Sequence, residues 1–85
     1  IIKAYKILAR KEGIFVEPAS AISLAGIIKL YKRGYFLKSS TSVVKVVCIL
    51  TGHGLKDPER AIKESSRPKI IPPTEEAVLE VAGYL

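Results

Sequence analysis

The spacing of apolar positions changes character along this chain. Over 1–12, Ile1, Ala4, Tyr5 and Leu8 share one face at helical spacing, and Lys3, Lys6, Arg10 and Lys11 fall mostly off it. That pattern predicts an amphipathic helix, with cations gathered in its last turn and Gly13 as its stop. Ile14-Phe15-Val16 is long enough only for a minimal strand. Glu17-Pro18 then opens a helix predicted over 18–33, because the N–H that proline lacks would be unpaired at the first helical position anyway. Gly34 is its stop. The first half of this helix holds Ala19, Ser20, Ala21, Ser23, Ala25 and Gly26, small enough for close approach to a neighbouring backbone or a flat ligand. Ile27, Ile28, Leu30 and Tyr31 supply packing in the second half, and Lys29, Lys32 and Arg33 suit the negative end of the dipole.

Residues 34–42, with their Ser-Ser-Thr-Ser tract, read as a loop in which Ser39, Ser40 and Ser42 look ordinary. Residues 43–50 are then almost continuously apolar, broken only by Lys45, as in a parallel strand buried on both faces. After a Gly-x-Gly loop, Asp57-Pro58-Glu59 has the order of a helix start, and that helix is predicted to run to about Ser65. Residues 69–73 are extended because their prolines push the preceding backbone out of helix. Thr74-Glu75-Glu76 caps a last helix carrying Val78, Leu79, Val81 and Ala82. The predicted class is α/β, mainly helical within this segment: part of an open, mostly parallel sheet flanked by helices.

The sheet does not close within these residues. A strand of the 43–50 type needs neighbours on both edges, and the only other candidate is three residues long. A two-stranded parallel sheet is not stable in water. Each buried backbone group left unpaired costs about 1–3 kcal/mol. The missing strands are therefore expected from other residues of a longer chain, or from another chain. The absence of Met and the opening Ile1-Ile2-Lys3 carry the same expectation, an internal piece that is not a self-sufficient domain.

Composition narrows the function classes. With 85 residues, 48% of them hydrophobic, the chain allows one small globular domain at most. No run approaches the about 20 apolar residues of a membrane span, and no signal-peptide pattern is present, so a cytoplasmic protein is expected. The single Cys48 excludes an internal disulfide and, inside an apolar run, reads as a buried, inert thiol. The net charge of +6 is uneven: residues 1–56 carry ten Lys/Arg against two Glu, and residues 57–85 four against six Asp/Glu. The basic part suits an anion such as a phosphate, although solvated helix faces account for most of these lysines. Basic residues are not interleaved with aromatics, which argues against a nucleic-acid surface.

Candidate chemistry collects in two stretches. In Leu50-Thr51-Gly52-His53-Gly54-Leu55-Lys56-Asp57-Pro58, a strand delivers a hydroxyl to the carboxyl-end crevice where α/β proteins bind ligands. The two glycines permit positive φ and close approach of a ligand. The spacing is not that of a nucleotide P-loop, and by itself it fits a ligand loop or an ordinary strand-to-helix turn. In Glu12-Gly13-Ile14-Phe15-Val16-Glu17-Pro18-Ala19-Ser20-Ala21, Glu17 stands at a helix start, where the dipole favours a carboxylate, as site residue or simple cap. His53 is the sole histidine, with no second His, Cys pair or clustered acids beside it. A structural or loop-lining role suits it better than metal binding or general base, and no metal site is expected.

These two stretches, in this order, closely resemble the threonine synthase family, in the C-terminal part of its large domain. The resemblance covers most of the chain. It implies a pyridoxal 5'-phosphate enzyme of fold type II, a cytoplasmic two-domain protein, usually a homodimer, that converts O-phospho-L-homoserine and water into L-threonine and phosphate. Thr51 matches the family hydroxyl that hydrogen-bonds the pyridine nitrogen, and a hydroxyl suits a neutral ring nitrogen. Gly52 would let the backbone pass the ring edge, and Glu17 matches the Glu-Pro motif bordering the pocket. No catalytic residue of the family falls in this segment. Its Schiff-base lysine motif and its cofactor-phosphate loop lie upstream, and Lys56 is not that lysine. The segment alone is thus expected to be inactive and to need the N-terminal part of its own chain. Alternatives are another fold-type-II enzyme such as threonine dehydratase, or, from a different class, a small basic module for phosphate or nucleic acid.

Overall fold

Gly13 ends the first helix, α1 (Ile2–Glu12), in the left-handed region at φ 66°, a conformation that costs glycine nothing. The Ile14 N–H then returns to the Leu8 carbonyl at 3.0 Å and turns the chain back along the helix. The computed structural model describes residues 1–38 and 43–85. The predicted loop residues Ser39, Ser40 and Ser42 lie outside this set.

The second helix, α2 (Ile22–Lys32), begins four residues later than the proline predicts. Residues 18–20 form turns: the Glu17 carbonyl accepts the Ser20 N–H at 3.0 Å and the Ala21 N–H at 3.4 Å. Gly34 follows α2 with φ 73°, and a 3-10 helix over Tyr35–Lys38 folds against α2 where a loop was expected. A further 3-10 turn, Gly54–Lys56, precedes α3 (Pro58–Glu64). The Asp57 carboxylate caps α3 by accepting the Arg60 N–H at 3.1 Å. Thr74 caps α4 (Glu75–Ala82) through the Ala77 N–H at 3.2 Å. Both caps are where the sequence puts them.

The core is small. Ala4, Tyr5 and Leu8 of α1 close on Val16 and Ala21, with Leu24, Ala25, Ile28 and Leu50 packed around them. The segment is mainly helical, as expected, and its described residues form no sheet. Among the described residues, backbone pairing between distant segments is confined to one antiparallel bridge, Val16 with His53.

The apolar run at 43–50 pairs with no strand among the described residues. Its side chains alternate nonetheless: Val43, Val47 and Ile49 are 87, 89 and 75% exposed, whereas Val44 and Val46 are 44 and 46% exposed. The second set lines a groove of about 400 Å³ with Ile27, Ile28, Tyr31 and Phe36. One face of the run therefore rests on α2 and the other is bare. Cys48, expected to be buried, is only partly so, because just one side of the run is covered.

Candidate functional site

The two sequence stretches meet in space. Around the Val16–His53 bridge, the Glu17 N–H donates to the Gly52 carbonyl at 3.0 Å and the Gly54 N–H donates to the Phe15 carbonyl at 3.2 Å. The Glu-Pro turn and the Thr-Gly-His-Gly loop are thus fastened backbone to backbone. Thr51 lies immediately before this fastening, exposed at the end of the apolar run.

Ser20 is the residue that sequence reasoning missed. It counted there only as one of several small side chains. It is 4% exposed, and its Oγ accepts the Gly52 N–H at 2.5 Å. The same Oγ lies 3.3 Å from Thr51 Oγ1, with either atom able to donate. The available signal was a serine just ahead of an apolar helix, a position from which serine readily bonds backbone N–H groups. Nothing in the sequence identifies that N–H as the one on Gly52.

Glu17 is placed differently from its expectation. No acidic residue occupies the first turn of α2, and the N-cap, Ala21, offers no side-chain bond. Glu17 therefore neither caps α2 nor sits on its dipole. Its half-buried side chain lies across Gly52, where a Cβ would overlap the carboxylate.

The glycines are explained by that close approach and not by positive φ. Neither Gly52 nor Gly54 has φ in the left-handed region. A Cβ on Gly54 would overlap the Phe15 ring. Phe15 in turn meets His53 edge to face, with ring centroids 5.5 Å apart at 74°. His53 Nδ1 accepts the Leu55 N–H at 3.1 Å and starts the 3-10 turn, a structural role. Among the described residues, no three His, Cys, Asp or Glu side chains gather as metal ligands, and no helix is long and apolar enough to cross a membrane.

Thr51, Gly52, Glu17 and Ser20 therefore form one cluster: a buried serine bonded to the Gly52 N–H and next to the Thr51 hydroxyl, with the Glu17 carboxylate lying over Gly52. Sequence comparison relates the chain as a whole to known proteins. Over 68 residues the chain is 56% identical to the threonine synthase of Methanocaldococcus jannaschii, covering 80% of this chain and 16% of that relative. The chain is homologous to threonine synthases. The Mycobacterium leprae threonine synthase is 46% identical over 85 residues, 100% of this chain and 22% of its own length. The threonine synthase of a Synechocystis species is 49% identical over 65 residues, 76% of this chain and 15% of its own. The chain thus spans about a fifth of the length of the curated relatives it matches. No family model matches it.

Proposed function

We propose that this chain is a C-terminal portion of the large domain of a threonine synthase, and that it supplies the pyridine-nitrogen side of a pyridoxal 5'-phosphate pocket. The longer protein would act, as a cytoplasmic homodimer, on O-phospho-L-homoserine and water to give L-threonine and phosphate. The observation that carries this reading is Thr51, an exposed residue at the end of an apolar run, next to the Gly52 that is fastened to the Glu-Pro turn. The homology to threonine synthases supports the reaction.

The donor set fits the group. A pyridine nitrogen without a proton needs a hydrogen-bond donor, and the threonine hydroxyl is one. A carboxylate in its place would hold the ring nitrogen protonated. Bound pyridoxal phosphate supplies an electron sink for carbanions formed from the substrate. Thr51 would hold the ring nitrogen, and Gly52, whose side-chain space is taken by Glu17, would present only backbone to the ring edge. Glu17 borders the pocket. The remaining strands of the sheet, the catalytic lysine and the phosphate loop come from other residues of the longer chain, so the segment alone is inactive.

The test is Thr51→Ala in the longer protein. It should alter the absorption of the bound cofactor and lower turnover of O-phosphohomoserine by up to about tenfold, the net worth of one hydrogen bond. An unchanged spectrum with unchanged turnover removes the proposed role of Thr51. Turnover of threonine in preference to O-phosphohomoserine by the unaltered protein would instead assign it to the dehydratases.

A further inference from the structure

We propose that Ser20 is a positioning residue that sets the direction of the Thr51 hydroxyl. The inference rests on the reading of Thr51 as the partner of the pyridine nitrogen. It follows from counting protons. A serine hydroxyl has one proton to donate and two lone pairs that accept. The Gly52 N–H, with no acceptor role of its own, takes one Ser20 lone pair at 2.5 Å. The Ser20 proton is thereby left for another acceptor, and Thr51 Oγ1 lies 3.3 Å away.

Thr51 likewise has a single proton. If that proton is committed to the ring nitrogen, Thr51 can only accept from Ser20. The direction left open by the two oxygen positions is then fixed: Gly52 N–H to Ser20 O–H to Thr51 O–H to ring nitrogen. Each bond in such a chain polarises the next. Ser20 is 4% exposed, so water does not compete for its hydroxyl. Without the Ser20 donor, the Thr51 proton is free to rotate toward other acceptors. The hydroxyl pair is longer than the about 2.8 Å of an optimal bond, so the expected effect is modest, about threefold in turnover.

The experiment uses the longer protein carrying cofactor labelled with 15N in its pyridine ring. Ring-nitrogen chemical shift, kcat, KM and melting temperature are measured for Ser20→Ala, Ser20→Cys, Thr51→Ala and Ser20→Ala/Thr51→Ala. Thr51→Ala should move the ring-nitrogen resonance, and Ser20→Ala should move it part of the way with kcat lowered about threefold and KM nearly unchanged. On the Thr51→Ala background, Ser20→Ala should change neither resonance nor kcat further, while still lowering the melting temperature through the stranded Gly52 N–H. Ser20→Cys, which keeps a weaker donor on a larger atom, should lie between wild type and Ser20→Ala in the ring-nitrogen shift, and it decides the matter if Ser20→Ala does not fold.

Three results would overturn the inference. If the Ser20 variants leave the resonance in place while Thr51→Ala moves it, Ser20 is structural only and the reading of Thr51 survives. If Ser20→Ala shifts the resonance equally in both backgrounds, its effect does not pass through Thr51. If Thr51→Ala itself leaves the resonance unmoved, the reading of Thr51 falls, and this inference with it.

Discussion

The space above Gly54 is filled by the Phe15 ring, and the space above Gly52 by the Glu17 side chain. The two contacts differ in what can give way. The Phe15 ring is held edge-on by His53 and its carbonyl is tied to Gly54, so a methyl group on Gly54 has to push rigid structure aside. Glu17 overlaps from Cγ outward, but it is a long, only partly buried side chain that can swing aside. Gly54→Ala should therefore cost about 1–3 kcal/mol, the usual penalty of overpacking, whether or not Glu17 is present. Gly52→Ala should also be destabilising, but less so once Glu17 is shortened to Ala. Urea denaturation of the two glycine variants, each with and without Glu17→Ala, measures the coupling. Equal relief of both variants by Glu17→Ala would show that the two glycines share one constraint.

At the scale of elements, α1 and α3 are joined by charge. Lys6 Nζ lies 2.7 Å from Glu64 Oε2, and Arg60 adds a longer contact of 3.4 Å one turn back along α3. The hydrogen bond from Lys6 holds the Glu64 carboxyl below the usual carboxylate range, with further help from the Lys6 charge and from Arg60 and against some desolvation. A carboxyl lowered in the folded state contributes stability that is complete above its unfolded value and is lost as pH falls through its folded value. Glu64→Gln should accordingly lower stability slightly at neutral pH, converge with the unaltered chain at acid pH and so flatten the acid side of the stability–pH profile, by a small amount that salt reduces further because the pairs are only partly buried. Chemical denaturation across acid pH at low and high salt checks both points. Elements held by local rules were legible in the sequence: Gly13 stops α1, Gly34 follows α2, and Asp57 and Thr74 cap their helices. The start of α2 was not legible, because Ser20 spends its side chain on a backbone N–H 32 residues away. The candidate site was legible in the same partial way. Residue type and spacing singled out Thr51, Gly52 and Glu17, but only the bridge between Val16 and His53 brings them together with Ser20. No local periodicity encodes a single long-range bridge.

At the scale of the whole molecule, the dimensions are those of an extended body. The radius of gyration is 17.8 Å, where a compact domain of this length has about 12 Å. The accessible surface is 7320 Å², where a compact protein of 9.3 kDa exposes about 5000 Å². Much of the excess is apolar: the bare face of Val43, Val47 and Ile49, and α4, which contacts no other described helix. This distribution matches the proposal that further residues of a longer chain cover the segment, and it makes Val47 informative, because at 89% exposure it has nothing to lose here. Val47→Lys in the 85-residue chain should leave the helical circular dichroism unchanged and reduce self-association, since a charge on an unpaired apolar edge opposes pairing with another copy. In the longer protein the same change would bury an unpaired ammonium inside a sheet, and should cost at least about 3 kcal/mol or abolish folding. The 85-residue chain should also melt broadly and bind a hydrophobic dye, whereas the longer protein should melt cooperatively without binding it. If Val47→Lys is equally harmless in both contexts, the bare face stays bare in the longer protein, and residues 43–50 are not a strand of its sheet.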